Sequence, residues 1–438
     1  MAIAVAALLA GNPATWHEDP DIGAVQSMYR DGVPHTDRRG RPLNAFDPDR
    51  SFFPIGIYHG VAGDFRGRQY DLSVAREAGF NAVHMWEGQS LETALAAAAE
   101  HGLQLVYHYP KDAEVRRWRD HPGLLAWYLD EDPSIRVWDP EWDRRLGAFQ
   151  TRKAMLHEMD PGRPVLALDG PFIDPPHRER WLAWNAAGDI SAHWNYPIRT
   201  GGVTSLTGRR GIPESVTTAV RLNGEKKPVW LVIQAFGSEH LGWRMPSSKE
   251  LRAMVFAGLV HGATGIFYFA LDSFVTRDGQ VAGVAPWAEE TYGPSPDYDG
   301  DGRYPLVVSS GDADASRALW RTIAALNREI AELAPALLSP TARLDHSVRV
   351  NREGAPVRTL LKRRGDELTL IAVNVEPAPV ELEVGFEAGT LPSALSAGTL
   401  PSALSAGSPG RMSADSGVLR DRLEGFDARV YRLRLRRP

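Results

Sequence analysis

From residue 52 the chain alternates short apolar runs, rich in Val, Ile, Phe and Tyr, with longer stretches patterned for helix. The first run is FFPIGIYHG (52–60). The helical YDLSVAREAGF separates it from NAVHMWEG (81–88), and the alanine-rich LETALAAAAEHG, closed by a glycine stop, leads into LQLVYHYP (103–110). LLAWYLDEDP (124–133), PVLALDGP (164–171), DISAHWNYP (189–197), PVWLVIQAFG (228–237) and GIFYFALDS (265–273) follow, nearly all separated by helical stretches. Runs that stay apolar throughout predict a parallel sheet covered on both faces, because alternation is needed only where one face meets water. Eight strand–helix units in this length predict a closed (β/α)8 TIM barrel over an open doubly wound sheet. No glycine-rich phosphate fingerprint follows the first run, which disfavours a dinucleotide-binding fold.

The helix ASRALWRTIAALNREIAELAPALL (315–338) closes this region, and the pattern then changes. SVRVNRE, VRTLLKRRGDELTLIAVNVEP, PVELEVGFE and ARVYRLRLR alternate with period two and are punctuated by turn residues, which predicts a C-terminal antiparallel β-sandwich. AGTLPSALS occurs at 388–396 and again at 397–405, and reads as a duplicated surface loop. The expected organisation is an N-terminal extension packing on the barrel (1–50), the barrel (51–340) and the sandwich (341–438).

A TIM barrel presents its chemistry at the C-terminal ends of its strands. Here the strand beginnings are aliphatic while the ends carry Tyr58 and His59, His84, Trp86 and Glu87, His108 and Tyr109, Asp169, His193, Trp194 and Tyr196, Gln234, and Tyr268 and Asp272. The densest cluster is WYLDEDP (127–133). Three consecutive carboxylates, Asp130, Glu131 and Asp132, repel one another unless solvated or used. In a pocket lined by Trp127 and Tyr128, one of them would have its pKa raised and could protonate a glycosidic oxygen. The competing reading is a helix start at Asp132-Pro133, or a calcium site.

FFPIGIY, the strand-four tryptophan–tyrosine–acid–proline motif and LRAMVFAGLVHGATGIFYFALDS (251–273) resemble the glycoside hydrolases of clan A, over roughly residues 50–340. The resemblance implies a (β/α)8 barrel with an acid/base glutamate ending strand four, often just before a proline, and a nucleophile glutamate ending strand seven. Glu131 matches the first by residue type, although Asp132 is the residue directly before Pro133. Gln234 stands at the second position and cannot act as a nucleophile. Three readings follow. The second carboxylate comes from Glu239, Asp272 or Glu87; or a substrate acetamido group replaces it, with Asp130 and Glu131 resembling the Asp–Glu pair of hexosaminidases; or the barrel binds saccharide without cleaving it. Trp86, Glu87, His108, Tyr128, His193, Tyr196, Gln234, Glu239 and Asp272 are the expected substrate contacts.

Composition narrows the field. There is no cysteine, which excludes disulfides, thiolate metal sites and cysteine nucleophiles. The net charge of -6, with no basic stripe, argues against a nucleic-acid partner. No strand ends in lysine, which argues against Schiff-base lyases and aldolases. Thirteen tryptophans exceed the usual frequency, and tryptophan faces stack on sugar C–H faces. Apart from the N-terminal MAIAVAALLAGNPA, no apolar stretch approaches a membrane span. That segment has the length of a signal-peptide core without its basic flank, and slightly favours a secreted or periplasmic location. In SPDYDGDGRY (295–304), Asp297, Asp299 and Asp301 match the first half of a calcium loop, with Val308 where the closing carboxylate should stand. The loop reads either as a structural calcium site with other ligands or as an acidic turn; no other cofactor is expected.

Overall fold

The computed structural model describes residues 17–18, 25–60, 63–65, 68–85, 89–134, 141–171, 177–202, 206–208, 211–276, 279–285, 313–386, 392–396, 411–413 and 418–435. Eight parallel strands close into a barrel in sequence order: β1 (Ile55–Gly60), β2 (Ala82–Met85), β3 (Gln104–His108), β4 (Leu124–Glu131), β5 (Val165–Asp169), β6 (Ser191–Asn195), β7 (Val229–Gln234) and β8 (Gly265–Phe269), which pairs back onto β1. Each apolar run of the sequence supplies one strand. Helices α1 (Ser73–Glu77), α2 (Leu91–Glu100), α3 (Asp112–Trp118), α4 (Trp142–Met159), α5 (His177–Ala187), α6 (Ile212–Leu222), α7 (Ser248–Val260) and α8 (Ala313–Leu337) follow the strands in turn.

Side chains alternate between the barrel interior and the helix layer, and both sides are apolar. Tyr58, Ala82, Val106, Ala126, Tyr128, Leu166, Leu168, Ala192, Trp230, Val232 and Phe267 fill the interior. Ile57, Val83, Leu105, Trp127, Val165, Leu231, Ile233 and Ile266 pack in the layer beneath the helices. Two inward glycines make room for large neighbours: a Cβ at Gly56 would lie 2.1 Å from the Phe267 ring, and one at Gly265 would lie 2.6 Å from the Trp230 ring. The interior is therefore a filled core, and only its upper rim can receive a ligand.

Beyond α8 lie β9 (His346–Val350), β10 (Val357–Arg364), β11 (Glu367–Asn374), β12 (Val380–Phe386), β13 (Pro392–Ser396), β14 (Arg411–Ser413), β15 (Val418–Leu423) and β16 (Ala428–Leu435). They form two antiparallel sheets, one in the order β9-β12-β15-β14 and the other in the order β10-β11-β16-β13; His17–Glu18 adds a short strand beside β9. Leu361, Leu370, Tyr431 and Leu433 face Val348, Val350, Leu382 and Leu419 across the sandwich. The alternate residues Leu360, Ile371, Val373 and Val430 join the barrel's own core, against α7 and α8. Arg252 of α7 pins this junction through a bidentate ion pair with Glu329 of α8 and a 3.0 Å hydrogen bond to the Ala428 carbonyl.

Two expectations change. The first AGTLPSALS copy is not only loop, because its Pro392–Ser396 segment is β13, paired with the edge of β16; the second copy lies outside the described residues. Residues before 51 serve both domains: His17–Glu18 joins the sandwich, while the His35–Leu43 hairpin closes the lower end of the barrel, where Gly40 abuts Leu125 and Pro164.

Candidate active site

The site is built on a break in β4. Pairing with β5 runs Trp127–Val165 and Tyr128–Leu166, then resumes at Asp130–Ala167 and Glu131–Leu168, so Leu129 is an extra residue in a β-bulge. Without the bulge Asp130 would follow Tyr128 inward. With it, Asp130 turns to the helix layer and takes Arg145 of α4 as a two-pronged partner, Nε donating to Oδ2 at 2.8 Å. Arg145 also donates to the Glu131 carbonyl at 3.2 Å, tying down the backbone on which Glu131 stands. Asp130 is thus held by Arg145 behind the strand, on the side away from Glu131. Asp130 and Glu131 therefore face opposite sides of β4.

Glu131 and Asp132 take the opposite side. Both are partly accessible, and their charges help to raise the hydroxyl pKa of Tyr58, Tyr128 and Tyr196, in each case after burial as the larger cause. Asp132 has a left-handed backbone (φ 50°), its N–H donates to the Leu168 carbonyl at 2.8 Å, and its Oδ1 accepts the Trp194 indole N–H at 2.5 Å. His59 and Tyr109, at two other strand ends, share the left-handed conformation (φ 57° and 46°). Non-glycine residues there carry strain, of the kind that clusters at functional rims.

Aromatic rings line the mouth. Trp194 stacks on Tyr196 at 4.6 Å, and Tyr196 meets Phe236 edge-on at 5.0 Å. Across the barrel, the His108 ring lies between Tyr128 (3.9 Å) and Tyr109 (4.0 Å), nearly parallel to both. His84 packs on Tyr58 at 4.0 Å, and Tyr58 donates to the Tyr128 hydroxyl at 2.8 Å. The imidazoles are held neutral: burial pushes His108 down to about 3, and burial, then the neighbouring His108 and His59, holds His84 well below its ordinary value. Tyr109 is 52% exposed, so its ring is presented at the rim.

Other expected contacts face elsewhere. His193 is fully buried on the outer side of β6, its Nε2 3.2 Å from the Ser215 hydroxyl and its ring against Trp181, so it does not reach the mouth. Trp127 likewise points outward and donates to Asp160 at 3.0 Å. Gln234 has no exposed surface: its Oε1 accepts from the Ile198 N–H at 2.9 Å, and its Nε2 donates to the carbonyls of Ile198, Phe236 and Arg244. It braces the loops after β6 and β7. Of the candidates for a second carboxylate, Glu239 lies in an exposed turn, and Asp272 is buried beyond β8 with its Oδ1 accepting the Ser273 N–H at 3.0 Å. Trp86, Glu87, Asp297, Asp299 and Asp301 lie outside the described residues. Among the described residues no group of three or more acidic or histidine side chains is arranged to hold a metal.

The group that sequence reasoning left without a role is Asp169. It ends β5 beneath the 132–134 turn, is 2% exposed, and accepts N–H bonds from Ser134 (3.1 Å) and Gly170 (2.9 Å) on Oδ1. A lone aspartate before a glycine reads as a turn, and only the closed sheet brings it against Asp132.

No family model matches the sequence, and no curated protein matches it. Solved structures that align with the chain include a GH30 endoxylanase from Clostridium papyrosolvens C71, 9% identical over 92% of this chain and 98% of its own, with a TM-score of 0.46. Amy13B of Eubacterium rectale is 9% identical over 94% and 98% (TM-score 0.47), and the alpha-glucosyl transfer enzyme XgtA is 13% identical over 87% and 99% (TM-score 0.49). Likeness at this level carries no argument about activity, and the functional reading rests on the chain's own site.

Proposed function

We propose that this chain hydrolyses a glycosidic bond in a neutral oligo- or polysaccharide, with Glu131 as general acid. The observation that carries the reading is the β4 bulge, which turns Asp130 back onto Arg145 and leaves Glu131 beside the buried tyrosines of an aromatic-lined mouth. Glu131 gives its proton to the glycosidic oxygen as the bond to the anomeric carbon breaks. The Asp132 carboxylate, oriented by the Trp194 N–H, offsets the positive charge that grows on the sugar ring. Water supplies the hydroxyl to the anomeric carbon and returns a proton. Trp194, Tyr196 and Tyr109 offer faces for sugar C–H surfaces.

The test compares wild type with Glu131→Gln on a panel of oligosaccharides and aryl glycosides. General acid catalysis is typically worth about 10²–10⁴-fold, so the variant should lose that much on natural leaving groups and less on acidic phenols, which need no protonation. Equal rates for the two proteins would remove Glu131 from this role. A second reading is favoured by Gln234: a barrel with no acid at the inward end of β7 that binds saccharide without cleaving it. Glycan binding by wild type with no turnover on any substrate would establish that reading instead.

A further inference from the structure

We infer that Asp169 is a third carboxyl of this site, a positioning residue that lies beneath the 132–134 turn and holds it on the end of β5. The inference rests on the reading of the mouth as a glycosidase site, but its geometry stands apart from any reaction.

Two backbone bonds dock the turn. The Asp132 N–H donates to the carbonyl of Leu168, and the Ser134 N–H donates to Oδ1 of Asp169, the next residue along β5. Between these anchors Asp132 adopts its left-handed backbone, which costs about 1 kcal/mol or more for a non-glycine residue and persists only where surrounding contacts over-determine it. Asp169 provides one of those contacts. Its side chain also accepts the Gly170 N–H, so Oδ1 is fully used, while Oδ2 is buried without a hydrogen-bond partner. An ionised carboxylate with one oxygen buried and unpartnered would be costly. A neutral carboxyl in the same place costs less, because an unpaired hydroxyl is cheaper to bury than an unpaired charge, and the Ser134 side chain lies against it.

Charge on the neighbouring elements points the same way. On the β4 side, the Asp132 charge acts on Asp169 from the turn after the strand, while Asp130 is turned to Arg145. From β6, His193 points into the helix layer, and Trp194 donates to Asp132. Among the described residues no cation figures in the groups acting on Asp169; burial first, then Asp132, raises its pKa well above the ordinary carboxylate range, against the opposing pull of the Ser134 side chain and of the Ser134 and Gly170 N–H groups. The like charge of Asp132 makes ionising Asp169 as well more costly. Asp169 therefore keeps the proton. This is an assignment no strand-seven residue can supply, since Gln234 carries no charge.

Infrared difference spectroscopy of the full chain tests this without any substrate. Wild type minus Asp169→Asn should show a protonated-carboxyl C=O band at neutral pH, and in Asp132→Asn that band should titrate away at lower pH, because the like charge beside it has gone. Absence of a band lost with Asp169, or a band that Asp132→Asn leaves unmoved, overturns the inference. The positioning role has its own readout. Asp169→Asn keeps a neutral acceptor for both N–H groups, so kcat should stay within a few-fold of wild type. Asp169→Ala frees the turn, and kcat should drop by at least tenfold with KM little changed. If Asp169→Ala folds and turns over as wild type does, Asp169 positions nothing. A chain that hydrolyses no glycoside but shows the band and its shift would refute the glycosidase reading and leave the carboxyl pair standing.

Discussion

Replacing Arg145 by methionine separates the two acids that stand side by side in the sequence. Arg145 gives Asp130 two charge-assisted hydrogen bonds and a third, at 3.2 Å, to the Glu131 carbonyl. The side chains are 20% and 11% exposed, so water screens them only in part. Breaking a fully buried pair from one side costs about 3–5 kcal/mol, and an exposed pair is worth about 0–1 kcal/mol. The exposures place this pair between the limits and nearer the first, which gives about 2–3 kcal/mol for Arg145→Met after discounting for the screening. Asp130→Asn keeps a hydrogen-bond acceptor for the guanidinium and should cost about 1 kcal/mol. The double variant buries no unpaired charge and should be more stable than Arg145→Met alone. Urea unfolding followed by tryptophan fluorescence measures these differences, and kcat/KM on the same proteins measures the consequence for the mouth. Asp130→Asn should retain activity within about tenfold, far above the loss expected for Glu131→Gln. An Arg145→Met protein within about 0.5 kcal/mol of wild type would show that the pair does not hold the bulge. An Asp130→Asn protein as inactive as Glu131→Gln, yet fully stable, would make Asp130 the acid and refute the assignment.

Gln234→Glu tests whether an acid at the end of β7 can restore the expected nucleophile. The Nε2 position faces three carbonyl oxygens, so a carboxylate oxygen there meets only acceptors, at a cost of about 3 kcal/mol. A lower Tm with no gain in hydrolysis is expected, and an equally stable, faster enzyme would contradict the brace. Lys362 of β10 is buried at the domain junction with its Nζ donating to the Ser339 carbonyl at 2.9 Å, and burial pushes its pKa down to about 7. Because the folded pKa lies below the unfolded one, the unfolded chain binds more protons between about pH 7 and 10, and stability contributed by the neutral amine grows as pH rises through that window. Lys362→Met should therefore raise stability near pH 6 and lose this advantage by about pH 10, as followed by urea midpoints. A pH-independent difference would show that Lys362 does not titrate there.

Fold and chemistry were legible from the sequence to different depths. The eight runs from FFPIGIYHG to GIFYFALDS each became a barrel strand, and the period-two stretches beyond residue 340 became the sandwich. Burial of both faces leaves a continuous apolar signature, and that signature is local. The rim was legible as a set of residue types, and Glu131, Asp132, His108, Tyr128 and Tyr196 do gather there. Which way each residue faces was not legible. A strand turns successive side chains to opposite sides, so one extra residue, Leu129, exchanges the sides of Asp130 and Glu131. His193 and Trp194 differ by a single step, and one meets the helices while the other binds Asp132. Gln234 faces inward but is claimed by loops that come from elsewhere in the chain. Asp169 gains its meaning from Asp132, 37 positions earlier, across a sheet pairing. The PSALS segment, too weakly patterned to read as a strand, is made one by the open edge of β16. Hydrophobic periodicity thus determined the architecture because burial is a property of segments, whereas the site was decided by register and loop contacts, which exist only once the barrel is closed.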